Sequence, residues 1–221
     1  MRTKTLLLAA ALTAVGIATS MAQVYSVNAV GYVRTTLKPG FSLISNPLTA
    51  TSNKISDLFK NTEGGIPDGL TVYKYNGAGY DIGAFAIFDV GTPAEVDNDL
   101  LLAPGEGAFV LNPTASDLKV TFVGEVPQGS LANPLKAGFS IISSQVPQAG
   151  TIDVLGYPAQ ENDTVYQWNA TSKSYVISQF VSFAPDPAVW DPAPPAVTVG
   201  EAFFVKRSAA GSWTRTFSVN L

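Results

Sequence analysis

The sequence predicts an all-β protein made of two tandem, homologous antiparallel β-modules of the sandwich or small-barrel type, each with one short helical turn. Three observations predict it. The nonapeptide Leu37–Ser45 (LKPGFSLIS) recurs as Leu135–Ser143 (LKAGFSIIS), with seven identities at an offset of 98. Tyr80–Val126 aligns without a gap on Tyr175–Leu221, with eleven identical pairs that include Tyr80/Tyr175, Glu106/Glu201 and Phe109/Phe204. Between these blocks, 19 glycines and 15 prolines punctuate short apolar runs, the pattern of strands joined by turns.

The elements follow in chain order. Residues 1–22 read as a signal peptide: Arg2 and Lys4 lead an apolar run from Leu6 to Ile17, and Ser20-Met21-Ala22 sets small residues before a cleavage site at Gln23. The alternative, a membrane anchor, needs about 20 apolar residues, and this run is shorter. No second long apolar stretch follows, so no membrane span is expected after cleavage, and the Pro- and Gly-rich segments interrupt the lipid-facing band of a membrane barrel. Residues 23–33 carry a closing-type strand, because Asn28–Val33 (NAVGYV) resembles Thr121–Val126 (TFVGEV). This strand either pairs within the first module or adds to another chain, head to tail.

Module 1 spans 34–126, a connector 127–134, and module 2 132–221. Phe41–Ser45 and Phe139–Ser143 read as buried strands. Ile55, Leu58 and Phe59 recur at helical spacing behind Ser52, and Ile152 and Leu155 echo them. Thr71–Tyr75 and Tyr80–Phe88 flank Asn76-Gly77, a hairpin signal. A strand follows Gly105-Glu106 and its match Gly200-Glu201, and closing strands run over Leu118–Val126 and Trp213–Leu221.

Composition excludes several chemistries. Without cysteine there are no disulfides or thiolate sites, and without histidine no Ser-His-Asp triad and no imidazole ligand. A net charge of −4, with 13 basic and 17 acidic residues, lacks the basic patch that nucleic-acid binding needs. No catalytic residue, metal site or cofactor is expected. Glu106 and Glu201 are the carboxylates at matched places in both modules. They read as holding backbone amides where a turn meets a strand, and the alternative is the paired carboxylates of a glycoside hydrolase.

Tyr73 and Tyr75 share one strand face, as do Tyr166 and Trp168. Core packing is the default for them, and a platform that stacks on sugar rings is the alternative. In the Pro-rich segment Ala184–Pro195, five prolines surround Trp190. That ring is either presented for binding or folded onto the sheet. Its counterpart, Asp89–Leu100, holds four acidic residues, and Ca²⁺ binding through Asp97 and Asp99 is a weak signal without the glycine and distal glutamate of an EF-hand loop.

The strings GFSLISNPL, APGEGAFV, TFVGEVPQGSL and GFSIISSQVPQAG resemble a group of exported, tandem-repeat β-proteins of bacteria with no assigned activity. The resemblance covers nearly the whole chain beyond the signal peptide and implies export from a bacterium. Taken together, the residues point to an exported, non-enzymatic structural or interaction protein of the cell surface or extracellular matrix. Its expected partners are another copy, through strand addition, or a polysaccharide. Carbohydrate binding through Trp190, Trp168, Tyr166, Tyr73 and Tyr75 is the first alternative function. N-terminal sequencing of the exported protein is expected to start at Gln23; a chain that still begins at Met1 would contradict the signal-peptide reading.

Overall fold

Alternating burial along short strands organises this chain into antiparallel sheets. The computed structural model describes residues 29–183 and 185–219. The signal peptide and the first residues of the 23–33 segment lie outside that range.

The N-terminal half contains β1 (Val30–Leu37), β2 (Gly40–Ser45), α1 (Ile55–Leu58), β3 (Thr71–Tyr75), β4 (Tyr80–Ala86), β5 (Glu95–Val96), β6 (Gly107–Asn112) and β7 (Leu118–Glu125). The C-terminal half contains β8 (Gly129–Leu135), β9 (Gly138–Ile142), β10 (Gly150–Thr151), β11 (Thr164–Asn169), β12 (Ser174–Val181), β13 (Val189–Asp191), β14 (Ala196–Val197), β15 (Phe203–Arg207) and β16 (Gly211–Phe217). Five strands of the first half form a sheet in the order β2-β6-β3-β4-β5, and the second half forms one in the order β9-β15-β11-β12-β13. Beside them run two-stranded ribbons, β1 with β7 and β8 with β16. A short pair, β10 with β14, completes the second half.

Each sheet uses its two faces differently. One face of the first sheet, carrying Ile44, Val72, Phe85 and Val110, packs on Leu37, Val120 and Phe122 of the ribbon and on Ile55 and Leu58 of α1. In the second, Ile142, Val165, Phe203 and Val205 pack on Leu135 and Trp213 of the ribbon and on Ile152, Leu155 and Tyr157. Both cores bury large rings, and each fully buried Phe contributes roughly 1.5–3 kcal/mol. The opposite faces of the two sheets meet each other through Leu43, Phe109, Ile141, Ala202 and Phe204.

Local chemistry explains the connections. The β3–β4 turn is closed by Asn76, whose Oδ1 accepts from the amides of Ala78 (3.0 Å) and Gly79 (2.9 Å). Gly77 takes φ +107°, which the Asn-Gly pair allows. The helical spacing of Ile55, Leu58 and Phe59 yields α1, with all three side chains buried. Its expected echo at Ile152 and Leu155 is a single turn instead, closed by the Leu155 amide on Thr151 O at 3.0 Å. Gly156, at φ +78°, then turns the chain away.

Strand pairing defines both joints. The segment read as a connector, 127–134, is mostly strand: β8 pairs with β16 from Gly129↔Phe217 to Leu135↔Gly211. Asn133 and Leu135 are buried on alternate positions while Pro134 points outward, a placement that an edge strand tolerates. The N-terminal strand pairs within its own half, β1 on β7 from Val30↔Glu125 to Leu37↔Leu118, and it runs past the predicted module start at residue 34.

Among the described residues the second core contains a buried ion pair that has no counterpart in the first. Arg207 and Asp163, 3% and 0% exposed, stand 3.5 Å apart. The Tyr157 hydroxyl links them, accepting from Arg207 Nη1 at 3.0 Å and donating to Asp163 Oδ2 at 3.0 Å. Burial, then the Asp163 charge, pushes the Tyr157 phenol well above its usual range. The sequence-matched position to Arg207 is Asn112, also buried, which instead bonds the backbone of Leu37 and Ser116. Replacing Arg207 with Met strands the Asp163 carboxylate, so chemical denaturation is expected to show a loss of about 3–5 kcal/mol; a loss below about 1 kcal/mol would mean that the pair is not held as a charge pair.

Candidate functional site

The joint between the two sheets is the candidate site, and it begins with two glycine–glutamate turns. Each turn reaches across to the other half. The Ser45 amide at the end of β2 donates to Gly200 O at 2.8 Å, and the Ser143 amide beyond β9 donates to Gly105 O at 2.9 Å. The same turns form isolated bridges, Ile44↔Glu201 and Glu106↔Ile142. The serine hydroxyls repeat the exchange, Ser45 Oγ donating to Glu201 O and Ser143 Oγ to Glu106 O. Thus each half covers the open edge strand of the other.

The turns require glycine. Gly105 has φ +94° and Gly200 φ +83°, in the left-handed region. A Cβ on either would also collide, at 2.7 Å from Asn133 Nδ2 and 2.7 Å from Thr35 Oγ1 respectively. Directly after the turns, Gly107 and Ala202 face each other. A Cβ on Gly107 would lie 2.4 Å from that of Ala202 and 2.5 Å from Ile141 Cγ2, so the sheets cross at their smallest residues.

Both glutamates are occupied in holding the turns. Glu106 Oε2 accepts from the Ala103 amide (2.9 Å) and from Lys74 Nζ (2.8 Å). Glu201 Oε2 accepts from the Thr198 amide (2.9 Å) and hydroxyl (3.0 Å), and its Oε1 accepts from Gln167 at 3.2 Å. Carboxylates engaged in this way act on the backbone of their own turn.

Around the crossing lies a continuous set of rings. Tyr75 meets Phe204 at 5.6 Å, and Phe109 meets both Trp168 (5.7 Å) and Phe204 (5.9 Å), all between the halves. Tyr175 joins Trp168 at 5.1 Å and Tyr80 joins Tyr75 at 5.4 Å within each hairpin. The Trp168 indole N–H donates to Phe41 O at 2.8 Å, which ties the β11 ring to β2 of the other half. On one side a groove of about 370 Å³ opens, lined by Phe41, Tyr73, Tyr80, Phe109, Trp168 and Tyr175. Partial burial raises the phenols of Tyr80 and Tyr175, with smaller contributions from Tyr75 and Tyr80 respectively, so both hydroxyls stay neutral.

The structure brings four of the five sequence-derived aromatics together. Tyr73, Tyr75, Tyr166 and Trp168 all pack against the inter-sheet cluster. Trp190 is corrected: it is 5% exposed in the second core, far down the strand order from the joint. It lies in β13 opposite Phe180, whose ring is 5.2 Å away, and its indole donates to Asp153 Oδ1 at 2.8 Å. The prolines therefore turn the chain around a strand that folds this ring inward, and nothing presents it to a ligand.

Sequence reasoning missed Phe41, Tyr80, Phe109, Phe139, Tyr175 and Phe204 as members of the joint. The signal was there, because these are three identical repeat pairs whose side chains fall on the same strand face as the aromatics already named. In the acidic loop, Asp97 Oδ1 accepts from the Ala84 amide at 2.7 Å and Asp99 binds the Ser56 amide and hydroxyl. Among the described residues no cluster of three acidic side chains stands together to hold a metal ion.

Comparison with protein-family models, with curated proteins and with solved structures finds no match in any of the three. The crossing itself is testable. Gly107→Val is expected to lower stability by about 1–3 kcal/mol and to shift Trp168 emission to the red as the sheets part. Unchanged denaturation and emission would mean that the halves do not rely on this contact.

Proposed function

We propose that this is an exported, non-enzymatic structural or interaction protein of the cell surface or extracellular matrix. The observation that carries the reading is the apolar surface left open beside the joint. Phe41, Tyr80, Phe139 and Tyr175 are each 41–43% exposed, and Ile82 and Ile177, another identical repeat pair, are 45% and 51% exposed. Apolar groups gathered at the mouth of a rigid joint are the usual mark of a surface that meets a partner. The residue types also favour the reading: the chain has no histidine or cysteine, and both matched glutamates are committed to backbone amides.

Self-association is the first form of this function. Each sheet carries a short outer strand, β5 or β13, and on β1 Val30 and Tyr32 are 60% and 73% exposed. A second form is polysaccharide binding, favoured by the half-exposed rings of the groove, since a pyranose presents an apolar face to an aromatic one.

Light scattering after gel filtration separates these forms. A self-associating protein is expected to run above the roughly 21 kDa of one processed chain (about 110 Da per residue, within the usual domain range). Ile82→Lys with Ile177→Lys is then expected to return it to that mass. A monomer at every concentration that also passes unretarded through polysaccharide gels would overturn the proposal.

A further inference from the structure

The two glycine–glutamate turns leave two matched pockets, one on each side of the joint. The first, about 310 Å³, lies between the Gly105-Glu106 turn, the start of β9 and the β3–β4 hairpin, with Lys74, Tyr75, Lys136, Phe139, Ser140 and Gln145 in its wall. The second, about 240 Å³, lies at Gly200-Glu201 and includes Ser42, Leu43 and Trp168. They share a frame and differ in charge. At the sequence-matched positions Lys74 becomes Gln167, Tyr75 becomes Trp168, Phe139 becomes Phe41 and Lys206 becomes Leu111. Lys136 becomes Lys38, which is tied to Asp117 at 2.7 Å.

Three cations stand at the first pocket and its Phe139 wall, and of these only Lys74, on Glu106, has a carboxylate partner. Arg34, Lys54, Lys60 and Lys119 are all ion-paired elsewhere on the surface. Among the described residues Lys136, Lys173, Lys206 and Arg215 form no ion pair with a carboxylate, and of these Lys136 shares the pocket wall with Phe139 while Lys206 stands over its ring. Lys136 is exposed in the pocket wall, and Lys206 Nζ lies 5.8 Å from the centre of the Phe139 ring. Lys74 adds a third ammonium; it bonds Glu106 and Leu101 O, which leaves one hydrogen free. In a chain of net charge −4, this is a local reversal of sign.

The rest of the wall narrows the ligand. Tyr75 and Phe139 supply ring surface, which a bare inorganic anion does not use. Ser140 Oγ is buried in the same wall without a hydrogen-bond partner, and the Gln145 amide makes only one long bond, 3.4 Å to Ala132 O. Such groups suit hydroxyls held beside a charged centre. Ring surface, unpaired ammonium groups and spare polar groups together describe the recognition of a sugar that carries an acid.

We propose that the pocket at Gly105-Glu106 binds a uronate residue of an acidic polysaccharide, with the pyranose against Phe139 and Tyr75 and its carboxylate between Lys136 and Lys206. The matched pocket at Gly200-Glu201 is lined by one cation, Arg34, which is ion-paired with Glu63, and it does not take the same ligand. The inference rests on the reading of the protein as one that works outside the cell.

Calorimetric titration of the purified protein with trigalacturonate, neutral galactotriose and inorganic phosphate tests it. Trigalacturonate is expected to bind, and galactotriose at least about tenfold more weakly. Lys136→Gln combined with Lys206→Gln is expected to cost about tenfold or more, while Lys38→Gln, at the sequence-matched position of the other half, costs less than about twofold. Because both lysines are exposed, these variants keep the fold, and far-ultraviolet circular dichroism checks that they do. Equal affinity for the two sugars, or a double variant that binds normally, overturns the proposal. So does phosphate that competes with trigalacturonate at equal affinity, which would make this a simple anion site. Absent trigalacturonate binding in a protein that still assembles by light scattering overturns the pocket alone and leaves the interaction reading in place.

Discussion

The fold depends on one reciprocal contact: each half lends a glycine–glutamate turn to the open edge strand of the other. An unpaired edge strand is a row of unsatisfied amides and carbonyls, and proteins must cover it, charge it or pair it. Here β2 is covered at Gly200 and β9 at Gly105 by backbone bonds of 2.8 and 2.9 Å. The contact works only because the residues at the crossing are Gly107 and Ala202, and because glycine tolerates the turn geometry. Without that close approach Leu43, Phe109, Ile141 and Phe204 would face water, and the third apolar cluster would not exist.

The same contact explains how a chain without disulfides is held. Each five-stranded sheet is buried on one face by its ribbon and on part of the other by the second sheet, so apolar side chains on both faces of a strand find cover. The two halves solve their inner cores differently. Among the described residues the first holds no ion pair around Phe59, Phe85 and Phe122, and the second admits Arg207, Asp163 and Tyr157 as a linked set. That set fixes geometry at a cost in desolvation, whereas Asn112 at the matched place satisfies local carbonyls with no net charge.

A matched frame with unmatched charges is also where function enters. The crossing needs small residues, glycine turns and ring packing in both halves, and those features repeat. The residues around the two pockets are free of that demand, and there the halves diverge: Lys74 and Lys136 line one, with Lys206 over the Phe139 ring, whereas the basic residue lining the other is Arg34, ion-paired with Glu63. Electrostatic differences on an otherwise repeated scaffold set what each side attracts without disturbing the packing beneath.

Much of this was legible in the residues alone. Burial alternates with a period of two and glycine, proline and asparagine mark turns, so the all-β class, the Asn76-Gly77 hairpin and the Ile55–Phe59 turn follow from local chemistry. The glutamates could also be read as turn-holding groups, because a carboxylate beside a glycine turn has backbone amides within reach. Periodicity says that Tyr73 and Tyr75 share a face but not what covers that face, so the meeting of Tyr75 with Phe204 needed the tertiary structure. The inward turn of Trp190 likewise depends on its pairing with Phe180 across β12, and the strand character of 129–135 on the partner β16. Composition and pattern are properties of neighbours along the chain. Which edge meets which turn is a property of distant segments, and it is decided only when apolar faces with no local cover find one another.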